Sequence, residues 1–281
     1  MPRKPLPQIP SLQMPDGLSI PQLGLGTWQL TGKACVNAVC AAFSLGIKHI
    51  DTAELYSNQK EIGKAIIDSG IDRADVFITS KVWHSNLSRS KAIAACEATL
   101  KQLNTDYLDL YLIHWPNKEV PVGETLAAME ILQKEGKIRS IGVSNFTIAH
   151  LKEAAEHSTA KIATNQVEFH PYLYQKELLE YCKSKGIILT AYSPLAHGAV
   201  AKDGALKELG ERYGKSAVQV ALRWLVQHGM AVIPKMSSEE HMLSNLDVFS
   251  WKLLPSDMKK IDGMDKNKRV INPWFAEFER E

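Results

Sequence analysis

Short apolar runs recur along the chain, and the stretches between them carry hydrophobic residues at helical spacing. Residues 88–103 show that spacing, because Ile93, Cys96, Leu100 and Leu103 fall on one face of a helix. A strand-like run followed by a helical stretch is repeated eight times. The strand-like runs cover residues 23–28, 47–53, 76–83, 107–115, 138–145, 162–169, 187–194 and 230–235.

The repeated alternation predicts parallel strands connected by helices, and eight such strands can close into a barrel. An open, doubly wound sheet is the alternative, but it would carry a G-x-G-x-x-G turn after its first strand. Gly24 and Gly26 instead fall inside the first run, and the third glycine is missing. We therefore expect an α/β fold, a (β/α)8 TIM barrel, as a single domain over residues 1–281.

Residues 11–21 precede the first barrel strand and predict a β-hairpin, because two short runs flank the turn sequence Pro15-Asp16-Gly17. A hairpin has no role in an open sheet, whereas it would cap the bottom of a barrel. Residues 1–10 are rich in proline and are expected to form a loose tail. Residues 267–281 are expected to form a C-terminal tail near the substrate pocket.

The composition narrows the possible partners. Hydrophobic residues make up 45% and charged residues 23% of the 281 positions, as in ordinary globular proteins. A net charge of +2 gives no electrostatic basis for binding nucleic acid or a membrane surface. The first ten residues lack the apolar run of a signal peptide, and no apolar stretch has the length of a membrane helix. A cytoplasmic location and a monomeric state are the expectations.

The four cysteines show neither a C-x-x-C pair nor the spacing of metal ligands. Three of them fall within predicted helices. We expect buried free thiols at Cys35, Cys40, Cys96 and Cys182.

In a closed parallel barrel, polar residues at the carboxyl ends of the strands face the active site. Asp51 ends the second predicted strand and Tyr56 follows it, while Lys81 and His114 end the next two. Asp51 can keep Lys81 charged, Lys81 can lower the pKa of Tyr56, and Tyr56 can then donate a proton near neutral pH. His114 can orient a carbonyl oxygen. These four residues are the predicted catalytic set.

A proton donor alone cannot reduce a substrate, so a cofactor or a different chemistry is required. Asn145 and Gln166 are carboxamides suited to binding the amide of nicotinamide, and Tyr192 can stack on a flat ring. Lys235 precedes a helical run at residues 237–246, whose start is suited to an anion. Together these residues predict a dinucleotide across the top of the barrel.

Two alternatives to a reductase are compatible with the same residues. A Schiff base on Lys81 would make the protein an aldolase or lyase, although pairing with Asp51 makes a poor nucleophile of the amine. A nucleotide-binding barrel without catalytic activity is the other alternative. The serines lack a G-x-S-x-G elbow, and the histidines lack H-x-H or H-E-x-x-H spacing, so no metal site is expected.

The residues discussed above belong to longer motifs through which the chain resembles the aldo-keto reductases, NADPH-dependent (β/α)8 enzymes that reduce carbonyl compounds. The resemblance extends from about Leu12 to Asn272. The motifs that carry it are GLGTW at 24–28, HIDTAELYSN at 49–58, TSKVW at 79–83, DLYLIHWP at 109–116, IGVSNF at 141–146, NQVEFHPY at 165–172, AYSPL at 191–195 and VIPK at 232–235.

The resemblance implies a role for each matching position. Tyr56 is similar to the family's proton donor, and its tetrad is completed by Asp51, Lys81 and His114. The cofactor positions implied are Thr27, Ser144, Asn145, Gln166, Tyr192, Ser193, Leu195, Lys235, His241 and Asn245. The substrate-pocket positions implied are Trp28, Leu55, Trp83, Trp115 and Trp274.

The chain departs from the family pattern near the end of the cofactor. Lys235 is followed by Met236, and His241 occupies the position at which the family commonly has an arginine for the 2′-phosphate of NADPH. Histidine is mostly neutral at pH 7 and donates fewer hydrogen bonds. NADPH is expected, with NADH as a possible second cofactor. Gln59 stands where the family usually has glutamate, so the resemblance gives weaker support for a secondary contact to the cofactor at this position.

Loop lengths bear on the substrate. Only residues 117–122 separate the HWP sequence from the following helix, and the chain past residue 266 is short. Family members with long loops at these places enclose bulky substrates. An open pocket for small aldehydes, α-dicarbonyls such as methylglyoxal, or keto-sugars is therefore expected. Trp274 and Phe275 are expected to fold over its edge, with a disordered C-terminal tail as the alternative.

Overall fold

The computed structural model describes residues 6–278, and its main feature is a ring of eight parallel strands surrounded by helices. A two-stranded hairpin precedes the ring and consists of β1 (Ser11–Gln13) and β2 (Ser19–Pro21). The strands of the ring are β3 (Gly24–Gly26), β4 (His49–Asp51), β5 (Phe77–Val82), β6 (Leu108–Ile113), β7 (Ile138–Ser144), β8 (Ile162–Glu168), β9 (Ile188–Tyr192) and β10 (Ala231–Val232).

Helices follow the strands and pack on the outer wall. They are α1 (Gly32–Ser44), α2 (Gln59–Ser69), α3 (Arg89–Leu103), α4 (Val122–Lys134), α5 (Ile148–His157), α6 (Lys176–Ser184), α7 (Ala199–Lys202), α8 (Gly204–Tyr213), α9 (Ala217–Gln227), α10 (Glu239–Leu246) and α11 (Pro255–Asp262). Within residues 6–278, none of the helices combines the length and the apolar character needed to cross a membrane.

The ring closes where the last strand meets the first. Leu23 forms a parallel bridge with Val232, and the Gly26 N–H donates to the Pro234 carbonyl at 3.1 Å. A Cβ atom at Gly26 would overlap the Ile233 carbonyl oxygen, so this close approach of two backbones requires glycine. The predicted (β/α)8 barrel is confirmed, and the open sheet is excluded.

The hairpin caps the end of the barrel opposite the predicted active site. β1 and β2 pair in antiparallel orientation, as the turn sequence predicted. Met14 and Ile20 are buried in one apolar cluster, against which Phe77 and Ile188 pack. Because these two residues begin β5 and β9, the hairpin fills the amino-terminal mouth of the ring.

The predicted state of the cysteines is confirmed in residues 6–278, where all four are free. Cys35, Cys96 and Cys182 are buried, and burial raises the pKa of each thiol to about 12. Cys40 is partly buried. Thiols in such surroundings are packing groups rather than nucleophiles.

A buried histidine makes the stability of the barrel sensitive to acid. His49 is 1% exposed in β4, and its Nε2 atom lies 3.0 Å from the Thr79 hydroxyl. Burial lowers the pKa of His49 from the ordinary value of 6.5 to about 4. Between these values the unfolded chain binds a proton that the folded chain does not, so stability falls as the pH decreases.

We predict that His49→Gln weakens this dependence on acid. The two pKa values correspond to roughly 3 kcal/mol of folding free energy, most of which is lost between pH 6.5 and pH 4.5. Urea unfolding at pH 7 and pH 4.5 should therefore show a smaller loss of stability in the variant than in the wild type. His157→Gln, which replaces an exposed histidine, should behave as the wild type. Equal losses in wild type and His49→Gln would contradict the prediction.

Candidate active site

The four predicted catalytic residues converge at the carboxyl end of the barrel. Asp51 ends β4, Lys81 lies in the neighbouring β5, and His114 directly follows β6. The Lys81 Nζ atom lies 2.6 Å from Asp51 Oδ1 and 3.3 Å from the Tyr56 hydroxyl. It also donates to the Thr52 carbonyl at 2.9 Å. The three N–H bonds of this fully buried ammonium thus have three acceptors.

The turn that carries Tyr56 is fixed by its own first residue. Glu54 begins a 3-10 turn that ends at Tyr56, and its carboxylate accepts the Trp83 N–H at 2.8 Å. The same carboxylate accepts the Asn86 side-chain amide at 2.5 Å. The phenol is therefore anchored to the end of β5, the strand that supplies Lys81.

The direction of the Tyr56 pKa shift differs from the sequence-based expectation. Burial raises the pKa of Tyr56 well above its usual value, and the negative charge of Asp51 raises it further. Burial also lowers the pKa of Lys81, against the opposing effect of the Asp51 carboxylate. The expectation was wrong chiefly because the phenol is buried, and the Asp51 carboxylate, which pairs with the lysine, adds to the rise in pKa. Tyr56 is consequently a neutral proton donor at physiological pH.

His114 is a neutral hydrogen-bond donor in this environment. Burial and the positive charge of Lys81 keep the pKa of His114 well below 6.5. Its ring is edge-on to Tyr56, with centroids 5.8 Å apart, and to Trp83 at 5.2 Å. Among the described residues its buried Nδ1 atom has no hydrogen-bond partner. An uncharged imidazole can polarise a carbonyl oxygen without competing with Tyr56 as the acid.

Gln166 connects the catalytic pair to the predicted cofactor side. Its Nε2 atom donates to Asp51 Oδ2 at 2.7 Å, so both carboxylate oxygens of Asp51 are hydrogen-bonded. Ser144 Oγ donates to the Gln166 main-chain carbonyl at 2.8 Å. Of the described residues, none donates to the Gln166 side-chain oxygen, which is left as an acceptor for a ligand.

Asn145 fixes the Tyr192 ring. Its backbone has a φ of 64°, a left-handed conformation that asparagine tolerates better than most residues. Its Oδ1 atom accepts the Tyr192 hydroxyl at 2.8 Å, and its Nδ2 atom donates to the His114 carbonyl at 2.9 Å. Tyr192 is thereby locked next to the catalytic group, at the end of β9.

The predicted phosphate side is more open. Lys235 is exposed beyond β10, and its Nζ atom lies 3.5 Å from Gln29 Oε1. His241 is exposed in the first turn of α10, whereas Asn245 is buried in the same helix. Ser193 and Leu195 lie in the turn after β9, and Ser193 has a φ of 45°. Of the groups on this side, Lys235 and His241 are thus at the surface, and Asn245 is the buried one.

Two residues near the predicted cofactor side have hydrogen-bond partners within the protein. The Thr27 hydroxyl is fully buried and donates to the Asp51 carbonyl at 2.8 Å, so it anchors the loop after β3. Gln59 is buried in the outer wall, where it donates to Ser80 Oγ at 2.9 Å and contacts Thr99. Its side chain thus faces β5 and α3, in line with the doubt that the glutamine raised about a contact to the cofactor at this position.

Aromatic rings surround the space above Tyr56 and His114. Trp28 contacts Tyr56 with ring centroids 4.8 Å apart, and Leu55 is 40% exposed beside it. Trp83 and Trp115 form the opposite wall. Of the two residues expected at the pocket edge, Phe275 lies there, with centroids 5.7 Å from Trp83, 5.6 Å from Trp115 and 4.4 Å from His84. The other, Trp274, is 93% exposed and does not cover the pocket.

Sequence reasoning gave no role to Asn58. This fully buried side chain accepts from the Thr52 hydroxyl at 2.8 Å and donates to the carbonyls of Thr27 and Leu30, each at 2.9 Å. It fixes the loop that places Trp28 on Tyr56. Its place in the HIDTAELYSN run was the available signal, but two of its three partners, Thr27 and Leu30, lie in the loop after β3.

Comparisons with known proteins identify the family of the chain. A sequence model of the Aldo/keto reductase family matches residues 22–266. The chain is 44% identical over 261 residues to glyoxal reductase of Bacillus subtilis (strain 168), covering 92% of this chain and 94% of that protein. It is 39% identical over 259 residues to methylglyoxal reductase DkgB of Escherichia coli O157:H7, covering 91% and 97%.

A solved structure extends the likeness to three dimensions. The crystal structure of a putative 2,5-diketo-D-gluconic acid reductase B superposes with a TM-score of 0.93 at 40% identity, and 96% of each chain is covered. The fold, the family model and the relatives thus agree over nearly the whole length. This chain belongs to the aldo/keto reductase family of oxidoreductases.

Proposed function

We propose that the protein reduces small aldehydes, α-dicarbonyls or keto-sugars to alcohols with a nicotinamide cofactor, NADPH in preference to NADH. The observation that carries the proposal is the contact of the buried Lys81 ammonium with both Asp51 and the Tyr56 hydroxyl. This arrangement supplies a protonated phenol and stabilises the phenolate that remains after proton transfer.

The residues at the top of the barrel fit a nicotinamide dinucleotide. The Gln166 side-chain oxygen can accept the carboxamide N–H of the cofactor, because the Gln166 nitrogen is already bound to Asp51. The Tyr192 ring is oriented by Asn145 and offers a flat surface to the nicotinamide. Lys235 offers a charge to the phosphates. Ser144, Asn145 and Thr27 act in this proposal mainly by orienting these groups.

The reduction follows from the chemistry of the chain's own groups. A nicotinamide held by Gln166 and Tyr192 would supply a hydride to the carbonyl carbon. Tyr56 donates its phenolic proton to the carbonyl oxygen, and hydride plus proton convert the carbonyl to an alcohol. Lys81 stabilises the phenolate through its contact with the hydroxyl oxygen. The neutral His114 ring donates a hydrogen bond to the same carbonyl oxygen, where negative charge develops.

The substrate class rests on the pocket and on the relatives. Two relatives are named glyoxal reductase and methylglyoxal reductase. The β6–α4 connection is short, spanning residues 114–121, which supports a pocket without a long covering loop. The walls from Trp28, Trp83 and Trp115 are apolar, so they favour a compact carbonyl compound next to Tyr56.

The aldolase alternative is disfavoured by Lys81 itself. A Schiff base requires an unprotonated amine with a free path to the substrate carbonyl. The Lys81 nitrogen is fully buried and donates to Asp51, Thr52 and Tyr56. A substrate carbon could reach it only after these three contacts were broken.

The role of Tyr56 as the proton donor can be tested by substitution. Tyr56→Phe removes the phenolic proton and should lower kcat for methylglyoxal reduction by roughly 10²- to 10⁴-fold, while the Kd for NADPH stays within about twofold because the ring is kept. Cofactor oxidation at 340 nm and fluorescence titration provide the two measurements. Tyr181→Phe, a partly exposed tyrosine on α6, is the matched control. Near-normal turnover of Tyr56→Phe would refute the assignment and favour another chemistry.

The preference for NADPH over NADH can be tested at His241. His241→Arg places a permanent charge with a planar fork in the exposed first turn of α10, where it can pair with a 2′-phosphate. The Kd for NADPH should fall roughly three- to tenfold, and the Kd for NADH should not change. Fluorescence titration with both cofactors checks this, with His157→Arg on α5 as the charge control. Equal changes for both cofactors would mean that the 2′-phosphate does not bind at α10.

A further inference from the structure

Glu168 is a buried carboxylate that takes no part in the proposed chemistry. It ends β8 and is 0% exposed. Its Oε1 atom accepts the Val270 N–H at 2.7 Å, and its Oε2 atom accepts the Ile271 N–H at 2.9 Å. The His170 ring contacts Oε1 at 2.9 Å through Nε2, which must be the protonated nitrogen to bind a carboxylate. Two consecutive backbone amides are thus bound by one side chain.

The segment that Glu168 binds has little structure of its own. Residues 263–278, here called the C-terminal segment, contain no helix or strand. The Lys266 and Lys268 N–H groups donate to the Tyr172 carbonyl at 3.1 and 2.9 Å, within the turn that follows β8. Because the segment lacks a hydrogen-bonded ladder, its path depends on such contacts to the β8 side of the barrel.

The far end of the segment is bound to a different loop. The Glu277 carboxylate accepts the Lys118 N–H at 2.9 Å and lies 3.3 Å from His150 Nε2. Between the two attachments a turn is closed by the Ala276 N–H, which donates to the Pro273 carbonyl. This turn directs residue 275 toward the barrel.

Phe275 is the residue through which the segment acts on the pocket. Its ring lies against Trp83, His84 and Trp115, and Trp83 in turn contacts His114. A shift of the segment by about one ångström would move this wall, and displacements of that size change enzyme rates strongly. The backbone path at residues 270–271 therefore sets the width of the pocket.

We propose that Glu168 is a positioning residue for substrate selectivity: by binding the Val270 and Ile271 amides it sets Phe275 as a wall of the pocket. The proposal rests on the proposed carbonyl reduction. β8 thus has two functions, since Gln166 orients the catalytic Asp51 and Glu168, two residues later on the same face, orients the substrate wall. Glu168 itself touches neither substrate nor the reacting atoms.

Glu168→Gln tests the role of the carboxylate. A glutamine has one oxygen and one NH2 group, so one of its ends must present a donor to a donor. The oxygen will face His170 and Val270, which leaves the NH2 opposite the Ile271 N–H. The segment should loosen at residue 271 while the strand remains in place, and its amide hydrogens should exchange roughly tenfold faster.

Selectivity is the second readout. In Glu168→Gln the kcat/KM for 4-nitrobenzaldehyde relative to that for methylglyoxal should change by about tenfold, mainly through KM, because only the wall has moved. The Kd for NADPH and the kcat for methylglyoxal should stay within about twofold. Phe275→Ala removes the wall directly and should change selectivity in the same direction. Glu177→Gln, an exposed glutamate on α6, is the charge-matched control.

A second variant covers the case in which Glu168→Gln does not fold. Val270→Pro removes one of the two N–H donors from the segment and leaves the buried strand unchanged. It should give the same change of selectivity as Glu168→Gln and the same faster exchange around residue 271.

The outcomes separate this proposal from the function on which it rests. If the variants only have a lower melting temperature, and their selectivity and amide hydrogen exchange match the wild type, the proposal is overturned. Glu168 is then a purely structural group. A changed NADPH affinity with unchanged selectivity would overturn it too, since Tyr192 is the strand neighbour of Glu168. A wild type that reduces neither aldehyde would refute the proposed function, while amide exchange would still show whether Glu168 binds the segment.

Discussion

The buried ion pair of Lys81 and Asp51 is the interaction on which the site depends. Two charges removed from water are stable only when each has close partners, and removal of one partner typically costs roughly 3–5 kcal/mol. Here Gln166 and Lys81 bind the two oxygens of Asp51, and Thr52 and Tyr56 accept from Lys81. The pair therefore constrains β4, β5 and β8 together, and the phenol is positioned as a consequence of that constraint.

The strand β8 extends this constraint from the chemistry to the pocket. Alternate residues of a strand face the same side, so Gln166 and Glu168 both point to the top of the barrel. One is bound to the catalytic pair and the other to the backbone of the C-terminal segment. In our proposal, one rigid strand thereby links the shape of the pocket to the position of the reacting groups.

Much of the fold could be predicted because it follows from local pattern. The spacing of the apolar residues distinguishes strands from helices, and eight strand–helix repeats indicate that the sheet closes into a barrel. The turn sequence Pro15-Asp16-Gly17 predicted the hairpin, which lies where a barrel has its open bottom. The requirement for glycine at Gly26 could not be read from the chain, because its contact with Ile233 arises only when β3 meets β10.

The barrel and the family could be predicted from the residue pattern alone, and so could the convergence of Asp51, Tyr56, Lys81 and His114, since strand ends meet at one face whatever the details of packing. How these groups behave depends on their surroundings in the folded protein. The Tyr56 phenol is buried beside Asp51, so its pKa rises although a lysine adjoins it. The sequence offered Trp274 and Phe275 alike as covers of the pocket. The path of the C-terminal segment, which is bound to Glu168 about a hundred residues earlier, places Phe275 on the pocket wall and leaves Trp274 exposed. Burial and long-range hydrogen bonds belong to no single stretch of sequence, and for that reason they became visible only in three dimensions.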